Sequence, residues 1–237
     1  MSVIDFQNKQ QQNHVNAFFK VVEPEFIHIY ELVKSRTMLS PEALYDLYLT
    51  TRYCVKKGMN GAICEFGVWQ GGGLELVAHC LKQLNAKNFI VGVDTFEGHP
   101  IPGENETDIW GNNMQERFLL ETQGGHKWAE SSYQEVSQNV RRIYDNVTLF
   151  KEEVNDSFDA DRFNSISILR LDMDWYLPTK VILDKLFWKI EKGGCLIIDD
   201  YGHHSGARQA LEEFLNENQL VLNFRHVNYS CIAANVF

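Results

Sequence analysis

Apolar residues recur at helical spacing over 41–57, at Leu44, Leu47, Tyr48, Tyr53 and Val55. Ser40 and Pro41 supply an N-cap and a first-turn residue, and Gly58 ends the helix. From residue 61 the rhythm changes to short apolar runs alternating with amphipathic stretches. The runs predict strands at 61–68, 87–94, 147–152, 165–174 and 193–200. The stretches between them predict helices at 74–84, 132–143, 178–190 and 207–218. Strands that are apolar on both faces belong to a parallel sheet covered by helices on both sides. The expected fold is therefore α/β, an open, mostly parallel sheet with right-handed crossovers. Two final extended pieces, VLNFRHV and YSCIAANVF, have no helix between them and should pair as an antiparallel edge hairpin. Residues 95–130 read as a long irregular stretch, and the Gln/Asn-rich start QNKQQQN reads as a flexible terminus. A single domain over 1–237 is expected, with 1–57 as an N-terminal helical segment.

Composition narrows the class of partner. The chain has 237 residues and a net charge of −10, which disfavours nucleic acid as a ligand. No apolar run approaches the roughly 20 residues of a membrane span, and the N-terminus has no apolar signal core. Cys54, Cys64, Cys80, Cys195 and Cys231 form no CxxC pair and sit mostly among apolar neighbours, as reduced core thiols of a cytosolic (cytoplasmic) protein do. The expected partner is a small molecule, with oligomeric state left open, a homo-oligomer included.

The ends of the strands carry the chemistry, because ligands of open α/β sheets bind beyond the strands' carboxyl ends. The first strand ends at Glu65-Phe66-Gly67 and runs into Gly71-Gly72-Gly73. This is neither G-x-G-x-x-G nor a P-loop, and no basic residue lies in it. A carboxylate beside a glycine bend suits a cationic ligand, which favours S-adenosylmethionine over NAD or ATP. The second strand ends at Asp94, placed to accept hydrogen bonds from a ribose diol, with Thr95 next and Phe96 set to stack on an adenine. Asp94 as a simple cap is the competing reading. The fourth and fifth strands end in Asp172 and Asp174, and in Asp199 and Asp200. Neighbouring strands would bring Asp172, Asp199 and Asp200 together, and three carboxylates in one place repel. An all-oxygen set resolves that repulsion by binding Mg²⁺.

EFGVWQGGG, GVDTFEGHP, LRLDMDWYLPT and GGCLIIDDYG, in that order, resemble the macrocin O-methyltransferase family, and RTMLSPEALYDLYLTTRYCVKKG resembles the segment before its first strand. The resemblance spans about residues 36–215. It implies a class I methyltransferase (Rossmann-like) fold, S-adenosyl-L-methionine and Mg²⁺, and methylation of sugar hydroxyls in macrolides and related products. It also implies metal ligands at Asp172, Asp199 and Asp200, and cofactor contacts around Glu65, Gly67 and Asp94; Phe66, Gly71, Thr95 and Phe96 complete the cofactor site expected from the strand ends. The chain departs from the family at Met173 and at WYLPT, 175–179, where LYEST is usual. Trp175 and Pro178 are thus expected to reshape the acceptor pocket.

Transfer of a methyl group to a hydroxyl requires alignment and removal of a proton. Asp174 and His126 are the candidate bases alongside Asp172, and the 95–130 stretch is expected to cover the substrate. His99 is a second candidate in that stretch, and His203 and His204 follow the Asp199-Asp200 pair directly. A sugar diol is the expected acceptor. A catechol-type phenol, or cofactor binding without chemistry, are the alternatives.

Overall fold

Helix α1 (Pro24–Val33) opens the described part of the computed structural model, which covers residues 17–237; the start QNKQQQN lies outside the described residues. Helix α2 (Pro41–Lys56) begins where the sequence places it, with Ser40 Oγ accepting from the Ala43 N–H at 3.2 Å. Its close at Gly58 uses a left-handed glycine, φ +74°.

The sheet then alternates with helices: β1 (Ala62–Phe66), α3 (Gly72–Gln83), β2 (Ile90–Asp94), α4 (Met114–Glu121), α5 (Tyr133–Ile143) and β3 (Val147–Lys151). The second half is β4 (Ile166–Leu171), α6 (Tyr176–Leu186), β5 (Ile190–Ile198), α7 (Ser205–Glu217), β6 (Arg225–His226) and β7 (Ile232–Asn235). Seven strands form one sheet in the order β3-β2-β1-β4-β5-β7-β6. β1 to β5 are parallel, and β7 is antiparallel to both β5 and β6. The expected edge hairpin is present, with its second strand inside, against β5.

Side chains of each strand alternate between two cores. Ile63, Ile168, Cys195 and Ile197 join the core that holds α1, α2, α3 and α5. Cys64, Leu169, Leu196 and Ile198 join the core that holds α6 and α7. All five cysteines are buried free thiols. No helix among the described residues is long and apolar enough to cross a membrane.

Two details differ from the sequence reading. The 95–130 stretch contains helix α4, capped by Asn113, whose side chain accepts from the Glu116 N–H at 2.9 Å, and anchored by the fully buried Met114. Asn113 with Glu116 three residues on is the local signal for that helix start. The fourth and fifth strands also stop before their acids, at Leu171 and Ile198. Asp172 and Asp199 each donate one last backbone bond, to Phe66 O at 2.8 Å and Leu171 O at 2.9 Å, and the chain then leaves the sheet.

The strand order reverses between β1 and β4, so the crevice above them is the topological switch point. Gly67 sits at that point with φ +85°, and a Cβ there would collide with the Asp172 carbonyl. Gly67→Ala is expected to cost about 3 kcal/mol, combining left-handed strain with a backbone clash. Urea unfolding measures it; a loss below about 0.5 kcal/mol would show that the two strand ends can part freely.

Candidate active site

The period of two along each strand sets the floor of the crevice. On the face that carries Ile63, Ile168 and Ile197, the next outward positions are Glu65, Arg170 and Asp199, and Asp172 follows Arg170. Glu65 and Arg170 are register partners on β1 and β4, and both are buried. Arg170 Nη1 donates to Glu65 Oε1 at 2.7 Å and to Asp172 Oδ2 at 2.9 Å. Its Nη2 lies 3.1 Å from Asp199 Oδ1, an ion pair without hydrogen-bond alignment. One guanidinium thus joins carboxylates from three strand ends. The sequence assigns the compensation of these acids to a cation alone; Arg170 supplies part of it from within the sheet. The signal was present in LRLD, where a lone arginine interrupts an apolar strand two residues before an acid.

Asp94, at the end of β2, clasps the glycine loop. Its Oδ2 accepts from the Val68 and Trp69 N–H groups at 2.6 and 2.8 Å, and its Oδ1 from Phe96 N–H at 2.6 Å. Trp69 and Phe96 have positive φ, 48° and 55°, as does Asp174, 63°, beyond β4. Three strand-end loops therefore hold non-glycine residues in a conformation that costs energy and clusters at functional sites.

Past Arg170 the acids outnumber the cations. Single oxygens of Asp172, Asp199 and Asp200 lie within 4.8 Å of one another, and an atom each from Asp174, Asp200 and His204 do likewise. Burial, reinforced by neighbouring acids, pushes the Asp172 and Asp200 carboxyls well above the usual range, although Arg170 pulls Asp172 back. Asp174 behaves oppositely. Burial would raise it, yet His99 and His204 hold it below its usual value. Their Nε2 atoms lie 3.4 and 3.8 Å from Asp174 Oδ2. Burial lowers the His204 pKa, against the pull of Asp174. Among the buried side-chain atoms without a hydrogen-bond partner are Glu65 Oε2, Asp199 Oδ1, Asp200 Oδ2 and His204 Nδ1. Such atoms are costly unless something else meets them.

A cavity of about 410 Å³ covers this floor, within the range of small-molecule sites. Of the sequence-derived residues, Glu65, Gly67, Asp94, Thr95, Asp172, Asp174, Asp199 and Asp200 line it. Phe66 is buried in the α6–α7 core, edge-on to Phe158 at 5.7 Å between ring centroids. Phe96, expected to stack on a ligand, is 2% exposed and packs on Tyr133, so its ring has no free face. Gly71 turns the loop against Val136 without reaching the cavity wall. His126 is exposed and outside the lining; His99, the second candidate, takes the inward position beside Asp174.

Other lining residues were not foreseen. Thr37, Met38, Leu39 and Ser40 approach from the segment before α2, and Asn228, Tyr229 and Ser230 from the β6–β7 turn. Ser230 Oγ donates to Asp199 O at 2.7 Å, tying that turn to the acids. Their membership depends on β7 lying next to β5, which no local pattern encodes. Trp175 is 1% exposed and donates from Nε1 to Pro100 O at 3.1 Å, fastening the start of the 95–130 stretch over the site. Glu106 fastens it further along, accepting from the N–H groups of Gly103 at 2.9 Å and Tyr176 at 3.1 Å.

Comparison with known proteins agrees with this geometry. Demethyldecarbamoylnovobiocin O-methyltransferase of Streptomyces niveus is 27% identical over 189 residues, covering 76% of this chain and 68% of the relative. Mycinamicin III 3''-O-methyltransferase of Micromonospora griseorubida is 26% identical over 184 residues, covering 76% and 70%. The solved O-methyltransferase NovP superposes with a TM-score of 0.71 at 21% identity, over 85% of this chain and 82% of NovP, a likeness of fold. The family described as Macrocin-O-methyltransferase (TylF) matches residues 32–235, nearly the whole chain. A methyltransferase-type sheet, an acid-floored cavity at its switch point and that match lead to one assignment: the chain belongs to the macrocin O-methyltransferase family and is an O-methyltransferase.

Proposed function

We propose that the protein uses S-adenosylmethionine and Mg²⁺ to methylate a hydroxyl of a sugar or another diol-bearing small molecule. The carrying observation is the convergence of Asp172, Asp199 and Asp200 in a cavity whose glycine loop is clasped by Asp94. The acceptor class rests on the two relatives, whose names describe methylation of natural products.

The donor set fits the metal. It is all carboxylate, as hard divalent cations prefer, and Asp200 Oδ2 is buried with no hydrogen-bond partner. Asp172, Asp199 and Asp200 would hold the ion, which would supply Lewis acidity that lowers the pKa of an acceptor hydroxyl. The cofactor would supply the methyl group on a sulfonium. Glu65, with Oε2 unpartnered at the cavity wall, suits the positive charge of such a molecule. Asp94 shapes the loop that would receive it, and its Oδ1 retains one acceptor site for a ribose hydroxyl. Asp174 is the group best placed to take the acceptor's proton. It is held ionised by His99 and His204, and it lies beside the ligand acids.

Three outcomes are expected. Mg²⁺ should raise the melting temperature of the wild type and EDTA should abolish turnover, because a ligand of the native state alone stabilises it by mass action. Asp199→Asn should lose both responses while cofactor affinity stays nearly intact; a wild type indifferent to Mg²⁺ would remove the metal from the proposal. Asp94→Ala should weaken S-adenosylmethionine binding by about 1.5–3 kcal/mol, read by calorimetry. An unchanged dissociation constant would take Asp94 out of the cofactor site. The third outcome concerns pH. Burial, opposed by Arg170, raises the Glu65 carboxyl from 4.5 to about 7. A raised carboxyl favours folding while protonated, and that contribution fades as pH rises from 4.5 to about 7. In EDTA, the stability of wild type relative to Glu65→Gln should therefore fall over that window. A constant difference would mean that Glu65 does not titrate there.

A further inference from the structure

Arg170 holds one oxygen from each of two carboxylates that face the cavity, Asp172 Oδ2 at 2.9 Å and Asp199 Oδ1 at 3.1 Å. Asp199 Oδ1 is sealed from solvent, so the exposed part of this side chain is its other edge. The guanidinium cannot swing aside to release these oxygens. It is 2% exposed, and its Nη1 is also tied to Glu65 Oε1 at 2.7 Å across the β1–β4 register. Its hydrogen bond fixes the orientation of Asp172, and its charge, without hydrogen-bond alignment, faces Asp199 Oδ1.

We propose that Arg170 is a positioning residue that sets the metal preference of the site, by limiting Asp172 and Asp199 to one ligand oxygen each. This rests on the metal reading above. Ca²⁺ takes six to eight oxygens and uses carboxylates in both modes, whereas Mg²⁺ demands about six in an octahedron and keeps several waters. An oxygen turned into the sheet toward a buried guanidinium is withdrawn from the cavity, so Asp172 and Asp199 would each offer their other oxygen. Together with Asp200 they would give a small octahedral ion about half its shell and leave the rest to water or to the two oxygens of a diol. They give Ca²⁺ too few oxygens. The same fork keeps Glu65 turned toward β4, so the acid nearest the glycine loop stays out of the metal's reach.

The test uses the full chain. Calorimetric titration of wild type with Mg²⁺ and with Ca²⁺ should show Mg²⁺ bound more tightly. In Arg170→Lys the charge remains but a single ammonium replaces the fork. Mg²⁺ affinity should fall about tenfold or more, while Ca²⁺ affinity holds or rises. An unchanged Mg²⁺ to Ca²⁺ ratio in a folded Arg170→Lys overturns the proposal, even though wild type binds metal and the metal reading stands. A wild type that binds neither ion overturns both. A second measurement needs no variant. With Mn²⁺ as the octahedral probe, electron spin-echo spectroscopy in ¹⁷O-enriched water should count about three metal-bound waters in the absence of acceptor. One water or none means two-oxygen chelation and ends the proposal, whether or not Arg170→Lys folds.

Discussion

A guanidinium enclosed by the sheet governs the charge of everything above it. Arg170 lies between β1 and β5, and its fork reaches Glu65, Asp172 and Asp199 at 2.7–3.1 Å. Removing such a cation would strand buried carboxylates, which is far costlier than losing a surface pair. It does not balance them, however. Five carboxyls, those of Glu65, Asp172, Asp174, Asp199 and Asp200, line the cavity around this one arginine. Burial and mutual repulsion raise the Asp172 and Asp200 carboxyls, while His99 and His204 hold Asp174 below its usual value. The site is thus built to receive positive charge, and both proposed ligands, a divalent ion and a sulfonium, bring it.

The glycine loop and the acids divide the work along the strand order. Asp94 and the loop after β1 occupy the β2 side of the switch point, whereas Asp172, Asp199 and Asp200 occupy the β4–β5 side. Glu65 lies between them and is joined to the acids only through Arg170. The 95–130 stretch then crosses above, held by Trp175 at Pro100, by Glu106 at Tyr176 and by Thr107 at Ser205. Tryptophan at 175 thus serves as an anchor for the covering loop, and Pro178 rather than Trp175 lines the cavity. Burial raises the Glu106 carboxyl, while the N–H groups of Gly103 and Tyr176 lower it.

Much of this was legible in the residues. Parallel strands announce themselves as continuous apolar runs, and each site acid stands at the end of one. Ser40, Pro41 and Gly58 bounded α2 by cap chemistry alone. What was hidden depends on alternation and long-range contact. Arg170 belongs to the site because a period of two turns it to the same side as Glu65 and Asp172, a relation visible only once β1 and β4 are paired. His99 rather than His126 faces Asp174 because Trp175 and Trp128 pack around it, with centroid distances of 5.5 and 5.2 Å. Phe96 has a positive φ and its ring lies in the core, 2% exposed, which the strand-end pattern does not encode.

The central claim is that surplus negative charge at the strand ends is reserved for a metal ion. Burial and neighbouring acids raise the Asp172 and Asp200 carboxyls well above their usual values, so protons compete with an ion for these oxygens. An ion binding there must displace them. Calorimetric titration with Mg²⁺ at pH 7, in buffers of different ionisation enthalpy, counts those protons directly. The account predicts net proton release on binding. Mg²⁺ binding with no proton release, or no binding at all, would contradict it.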